Sequence, residues 1–74
     1  MNYRDVIMAD PNVMLGKPVI KGTRLSVELI LRKLAEGMSV SDLIAAYPNL
    51  TQDKILAVLS YSADVMSREE LLAS

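Results

Sequence analysis

The side chains with the clearest chemical use are cationic. Lys17, Lys21 and Arg24 fall within eight residues of one another, in a segment that also holds Gly16 and Gly22. Glycines let the chain bend so that basic side chains and backbone N–H groups converge, which suits a phosphate-gripping arm. The stretch from Gly16 to Thr23, GKPVIKGT, is not a nucleotide loop, because five residues rather than four separate the glycines and no lysine follows the second. The simpler alternative gives both glycines a turn role and no ligand. Further on, Gln52 and Lys54 stand at the start of a helical stretch, where glutamine can pair with an adenine edge and lysine with phosphate or guanine. Asp53 between them repels a nucleic-acid backbone. Lys17, Lys21, Arg24, Gln52 and Lys54 are therefore the candidate DNA contacts.

Catalysis has little to rest on. The chain contains no histidine and no cysteine, so a hydrolase would need paired carboxylates or a serine–lysine couple. Asp5, Asp10, Asp42, Asp53 and Asp64 are placed as caps, turns and solvated positions instead. Neither an enzyme, a cofactor, a metal site nor a small-molecule substrate is expected. A third set, Tyr61, Asp64, Val65, Glu69, Glu70, Leu71 and Leu72, forms an apolar strip with flanking carboxylates. It suits a partner protein with a basic groove. The alternative is that Leu71 and Leu72 fold back onto the core.

The elements that position these residues divide at about residue 25. In residues 1–25, Val6-Ile7-Met8 and Pro18-Val19-Ile20 read as short extended segments, separated by the turn signal Asp10-Pro11-Asn12. Pro18 permits an edge strand and excludes a central one. From Ser26 to Ser74 the period becomes helical, and one entry signal occurs three times: Leu25-Ser26 with Ile30, Met38-Ser39 with Leu43, and Leu50-Thr51 with Ile55. Each is a capping residue flanked by apolar staples, and Asp42 completes an approximate capping box with Ser39. Helix one, Ser26 to Glu36, presents Val27, Ile30, Leu31, Leu34 and Ala35 inward and stops at Gly37. Helix two, Val40 to Tyr47, aligns Val40, Leu43, Ile44 and Tyr47 and is ended by Pro48. Helix three, from Gln52 to about Met66, turns Ile55, Val58, Leu59, Ser62 and Met66 inward and Gln52, Asp53, Lys54, Ala57 and Tyr61 outward. Ser67 either caps a fourth helix or lies within a longer third. The fold class is mainly α: a single domain of three to four helices in helix-turn-helix order with a short N-terminal β arm.

Bulk properties point to association. A chain of 74 residues buries only about 60% of its unfolded surface, and without cysteine or histidine neither a disulfide nor an ordinary zinc site reinforces it. Its 51% apolar content exceeds what a lone small domain readily hides. Val6, Ile7, Met8, Val13, Leu29, Leu56 and Tyr61 are left over once three short helices are covered, which predicts a homodimer, with the open edge of the N-terminal strand as the preferred contact. The net charge of −1 is unevenly divided. Residues 1–35 carry Arg4, Lys17, Lys21, Arg24, Arg32 and Lys33 against Asp5, Asp10 and Glu28, and residues 36–74 carry Lys54 and Arg68 against six acids. One end suits an anionic partner and the other a basic one; an ordinary solvated surface is the bland alternative. Neither a signal peptide nor a membrane span is predicted, which implies a cytoplasmic location.

The same residues carry a family resemblance. Asp10-Pro11, the run Gly16-Lys17-Pro18-Val19-Ile20-Lys21-Gly22-Thr23-Arg24, then Val27, Gly37, Tyr47-Pro48, Leu50-Thr51 and Ile55 closely resemble the bacterial family called domain of unknown function 433, across about residues 3–65. The resemblance implies a homeodomain-like helix-turn-helix with a β arm. Some members are antitoxins paired with a PIN-like ribonuclease toxin, so it also implies an antitoxin-like regulator that binds such a toxin and its own promoter DNA. A stand-alone homodimeric interaction module without DNA binding is the second expectation.

Overall fold

The computed structural model describes residues 2–73, with the backbone alone at Met14 and over residues 69–73. A 3-10 turn at Tyr3–Asp5 leads into β1 (Ile7–Met8), and a second at Met14–Gly16 precedes β2 (Val19–Ile20). Three helices follow: α1 (Val27–Ala35), α2 (Val40–Ala46) and α3 (Gln52–Ala73). The architecture is thus mainly helical with an N-terminal β arm, and α2 and α3 follow one another in helix-turn-helix order. Ser67 lies inside α3, so the third helix is one long helix with no separate fourth.

The arm is antiparallel, with Ile7 opposite Ile20 and Met8 opposite Val19. It is tied to the helices rather than left open. Lys21 N–H donates to the Val6 carbonyl (2.8 Å), Ile20 N–H to Leu25 (2.9 Å), and Val27 N–H to Pro18 (2.9 Å). Pro18, which has no N–H, contributes through its carbonyl alone, consistent with its place at a strand start. Gly22 adopts φ 76 in the turn after β2, a left-handed geometry that costs glycine little. Beside it the Thr23 hydroxyl donates to the Ile20 carbonyl (2.8 Å) and accepts from Leu25 N–H (3.0 Å). The Lys21–Arg24 segment is therefore the hinge that turns the arm into α1. Leu15 is the one non-glycine with positive φ among the described residues (φ 57), and its side chain is 95% exposed.

All three predicted caps form. Ser26 Oγ accepts from Leu29 N–H (3.0 Å), Ser39 Oγ from Asp42 N–H (3.0 Å), and Thr51 Oγ1 from Lys54 N–H (3.2 Å). Asp42 Oδ2 in turn accepts from Ser39 N–H at 3.1 Å, closing a full capping box. Each such cap contributes about 1 kcal/mol by satisfying amides that a helix start leaves open.

The core gathers Ile7, Val19 and Ile20 from the arm, Val27 and Ile30 from α1, Leu43 and Leu50 around α2, and Ile55, Ala57 and Val58 from α3. Burying a side chain the size of Ile20 or Ile30 contributes about 1.5–3 kcal/mol. The arm is thus a wall of the core. Of the seven apolar residues expected to be left over, Ile7 is buried, Val6, Met8, Val13, Leu29 and Tyr61 are half-buried, and only Leu56 stays exposed.

Helix α3 is turned differently from the sequence expectation. Ala57, expected outward, is buried, whereas Leu59 and Met66, expected inward, are 40% and 62% exposed. The turn at Tyr3–Asp5 packs on α3, and Tyr3 meets Tyr61 edge to face at 5.5 Å between ring centroids. Covering this side of the helix draws in Ala57 and Tyr61 and leaves Leu59 and Met66 on the far edge. Ala35 on α1 and Val40 and Ile44 on α2 are likewise exposed rather than inward.

Candidate functional site

Two of the five candidate DNA contacts, Lys17 and Lys54, are engaged by other groups of the chain. Lys17 lies 3.7 Å from Glu28, which also receives Arg32 at 3.2 Å, so its charge is answered within the chain. Such exposed pairs contribute at most about 1 kcal/mol and stay labile. Lys54 is half-buried, and its Nζ donates to the Asn49 carbonyl at 2.9 Å, so it closes the turn between α2 and α3. Lys21, Arg24, Gln52 and Asp53 are exposed. Lys21 and Arg24 have no ion-pair partner among the described residues.

The outer side of α3 is unlike that of a helix that reads bases. Its exposed residues among the described side chains are Gln52, Asp53, Leu56, Leu59, Ser60, Ala63, Asp64, Met66, Ser67 and Arg68, of which two are acidic and only Arg68 is basic. A major-groove helix carries a row of arginine, lysine, asparagine or glutamine toward the base edges, and here only Gln52 and Arg68, sixteen positions apart, are exposed residues of that kind.

The candidate partner-binding set is divided as well. Tyr61 packs on Tyr3 and the core, and Asp64 accepts a hydrogen bond from the Tyr3 hydroxyl at 2.6 Å. Arg4 adds a cation above the Tyr3 ring, 5.7 Å from its centroid. The Tyr3 hydroxyl is held above its ordinary pKa of 10.0, first by this hydrogen bond, then by desolvation and by the Asp64 charge. Tyr61 and Asp64 thus clasp the N-terminal segment. Val65 is half-buried and Arg68 exposed. The side chains of Glu69, Glu70, Leu71 and Leu72 lie outside the described residues.

Sequence reasoning missed an exposed apolar seam, Leu56, Leu59, Ala63 and Met66, on the solvent side of α3. The signal for it was their spacing of three, four and three, which repeats on one face of a helix. It was masked because Ile55, Val58, Ser62 and Val65 repeat in the same way one step behind. Val40 and Ile44, each 36% exposed, add apolar surface on α2, which packs against α3.

These features define a small helix-turn-helix domain whose β arm forms part of the core and whose third helix carries an exposed apolar seam. The chain belongs to the family described as protein of unknown function (DUF433), whose model matches residues 7–62. A crystal structure of a member of this family from Anabaena variabilis is similar over 96% of this chain and 71% of that one, with a TM-score of 0.81 and 25% identity. An uncharacterized protein of Sinorhizobium fredii, y4eO, is 32% identical over 59 residues, which make up 80% of this chain and 27% of that protein. The chain therefore spans about a quarter of the length of this relative. Among the described residues no helix is long and apolar enough to cross a membrane.

Proposed function

We propose that this chain is a non-enzymatic, antitoxin-like regulator that acts by binding a partner protein through the C-terminal end of α3. The observation that carries this reading is the overrun of the helix. Val65 is its last half-buried residue among the described side chains, Met66, Ser67 and Arg68 are all exposed, and the backbone stays helical to Ala73. Eight residues beyond Val65 make about 12 Å of helix, and a helix in water gains its stability chiefly by packing an apolar face. A partner surface supplies such packing. Glu69, Glu70, Leu71 and Leu72 fall on this segment, and their carboxylates and leucines match a basic groove with an apolar floor. A ribonuclease that holds RNA has such a groove, and the family resemblance names a PIN-like ribonuclease as the partner class.

Truncation after Met66 tests the proposal against a PIN-like ribonuclease of the same genome in a pull-down. The shortened chain keeps its helical circular dichroism and loses the ribonuclease, while the full chain retains it. Capture by both forms would refute the proposal.

A second reading, promoter binding, is favoured by one observation: Lys21 and Arg24 stand exposed on either side of the Gly22 turn. On that reading the arm grips phosphate and α3 does not read bases. Replacing both by alanine lowers the slope of log K against log salt by about two on promoter DNA. Lys54→Ala leaves it unchanged.

A further inference from the structure

We infer that the N-terminal turn, Tyr3–Asp5, is a latch on α3: by holding Tyr61 and Asp64 it keeps the helix wound past the core, and so sets how ready the far end is to bind. The consequence for binding rests on the partner reading above. The latch itself does not.

The core holds only the start of α3. Its fully buried side chains, Ile55, Ala57 and Val58, lie in the first two turns of a 22-residue helix. Past Val58, the described side chains with partial burial are Tyr61, Ser62 and Val65. From Leu59 to Ala73 the helix runs about 22 Å, and a segment of that length is marginal in water by itself.

Tyr3 grips the helix where the core runs out. Its ring meets Tyr61 edge to face, 5.5 Å between centroids and 84° between planes, and its hydroxyl donates to Asp64 Oδ2 at 2.6 Å. Tyr61 and Asp64 are three positions apart and therefore neighbours on one helix face, so one side chain spans the turn that follows the last fully buried residues. An anchored turn removes the cost of nucleation, and each later residue adds by propagation alone. The overrun to Ala73 is wound from this held template.

The grip is firm because the turn is built into the arm. Asn2 Oδ1 accepts from Arg4 N–H (3.0 Å), Val6 N–H donates to the Tyr3 carbonyl (2.9 Å), and the Val6 carbonyl accepts from Lys21 N–H (2.8 Å). Ile7, next in the chain, is buried in the core. Tyr3 is thus presented from a fixed base, and the helix beyond Asp64 is the part that unwinds when the grip is lost.

Winding controls binding through population. A partner that takes the wound end meets a Kd raised by the inverse of the wound fraction, because ordering an unwound end on contact costs affinity. Loosening Tyr3 therefore weakens capture without removing any residue from the interface.

Residue-resolved Cα chemical shifts of the free full chain test the latch on the wild type, Tyr3→Phe and Tyr3→Ala. In the wild type, helical shifts run from Gln52 past Arg68. In Tyr3→Ala they fall by about half or more over residues 62–72, and in Tyr3→Phe, which keeps the ring and loses the hydroxyl, by a smaller amount. Residues 27–58 keep theirs in both variants. Titration with the ribonuclease is the second readout: Kd rises from wild type to Tyr3→Phe to Tyr3→Ala, by about twofold or more in the last. Wild-type shifts over residues 62–72 in Tyr3→Ala overturn the inference. So does a loss spread equally over residues 27–58, which marks Tyr3 as a general prop of the fold. An unchanged Kd beside fallen shifts overturns the link from winding to binding. If the shifts fall as stated and even the wild type binds no ribonuclease, the latch stands and the partner reading fails.

Discussion

The hydroxyl of Tyr3 donates to the Asp64 carboxylate at 2.6 Å, joining residues 61 positions apart. With the Tyr3–Tyr61 edge contact, this bond fastens the first turn of the chain to its last helix.

That bond carries an alkaline signature. The pKa of Tyr3 is raised above 10.0, chiefly by the hydrogen bond itself, so folding favours the neutral hydroxyl. The stabilisation is complete below about pH 10 and is lost as pH rises through the raised value, when a tyrosinate would face a carboxylate. Thermal melts of the wild type and Tyr3→Phe therefore differ at neutral pH, with the variant lower. The gap closes in strongly alkaline buffer. A gap that is constant to the alkaline limit would show that ionisation of the hydroxyl is not linked to folding.

The capping box of α2 gives the opposite limb. The Asp42 carboxyl is held below 3.8, first by the Ser39 backbone N–H and then by the Ser39 hydroxyl. A lowered pKa contributes stability above 3.8 that disappears as pH falls through the lowered value. Asp42→Asn should flatten the acid limb of the stability curve. Ser39→Ala should cost about 1 kcal/mol at neutral pH, read from urea unfolding.

Ala57 tests how α3 is turned. Its side chain is 1% exposed, so Ala57→Leu forces extra volume into a filled core and costs about 1–3 kcal/mol. An outward Ala57 would accept leucine with a change within about 0.5 kcal/mol. Denaturant midpoints at equal slope distinguish the two.

Local signals were the most legible part of the fold. The caps Ser26, Ser39 and Thr51, the stop at Gly37 and the short strands around Ile7 and Ile20 depend on neighbours within a few residues, and each formed where the sequence pointed. The orientation of α3 was not legible. Leu56, Leu59 and Met66 alternate with Ile55, Val58 and Val65, so helical period alone allows two inward faces. The choice fell to a tertiary contact, Tyr3 on Tyr61, that no local pattern announces. The candidate site suffered for the same reason. Lys54 donates to the Asn49 carbonyl and Lys17 stands near Glu28, contacts that the helical and turn patterns do not announce.

The arm's place in the core also fixes an order of events. Ile7 and Ile20 share one cluster with Ile55 and Val58, yet synthesis from the N-terminus produces the arm well before α3. An emerging chain therefore holds its β arm without its α3 partners, and the entropy of closing so long a loop is met only when α3 arrives. Docking of the arm onto this part of the core then waits on α3.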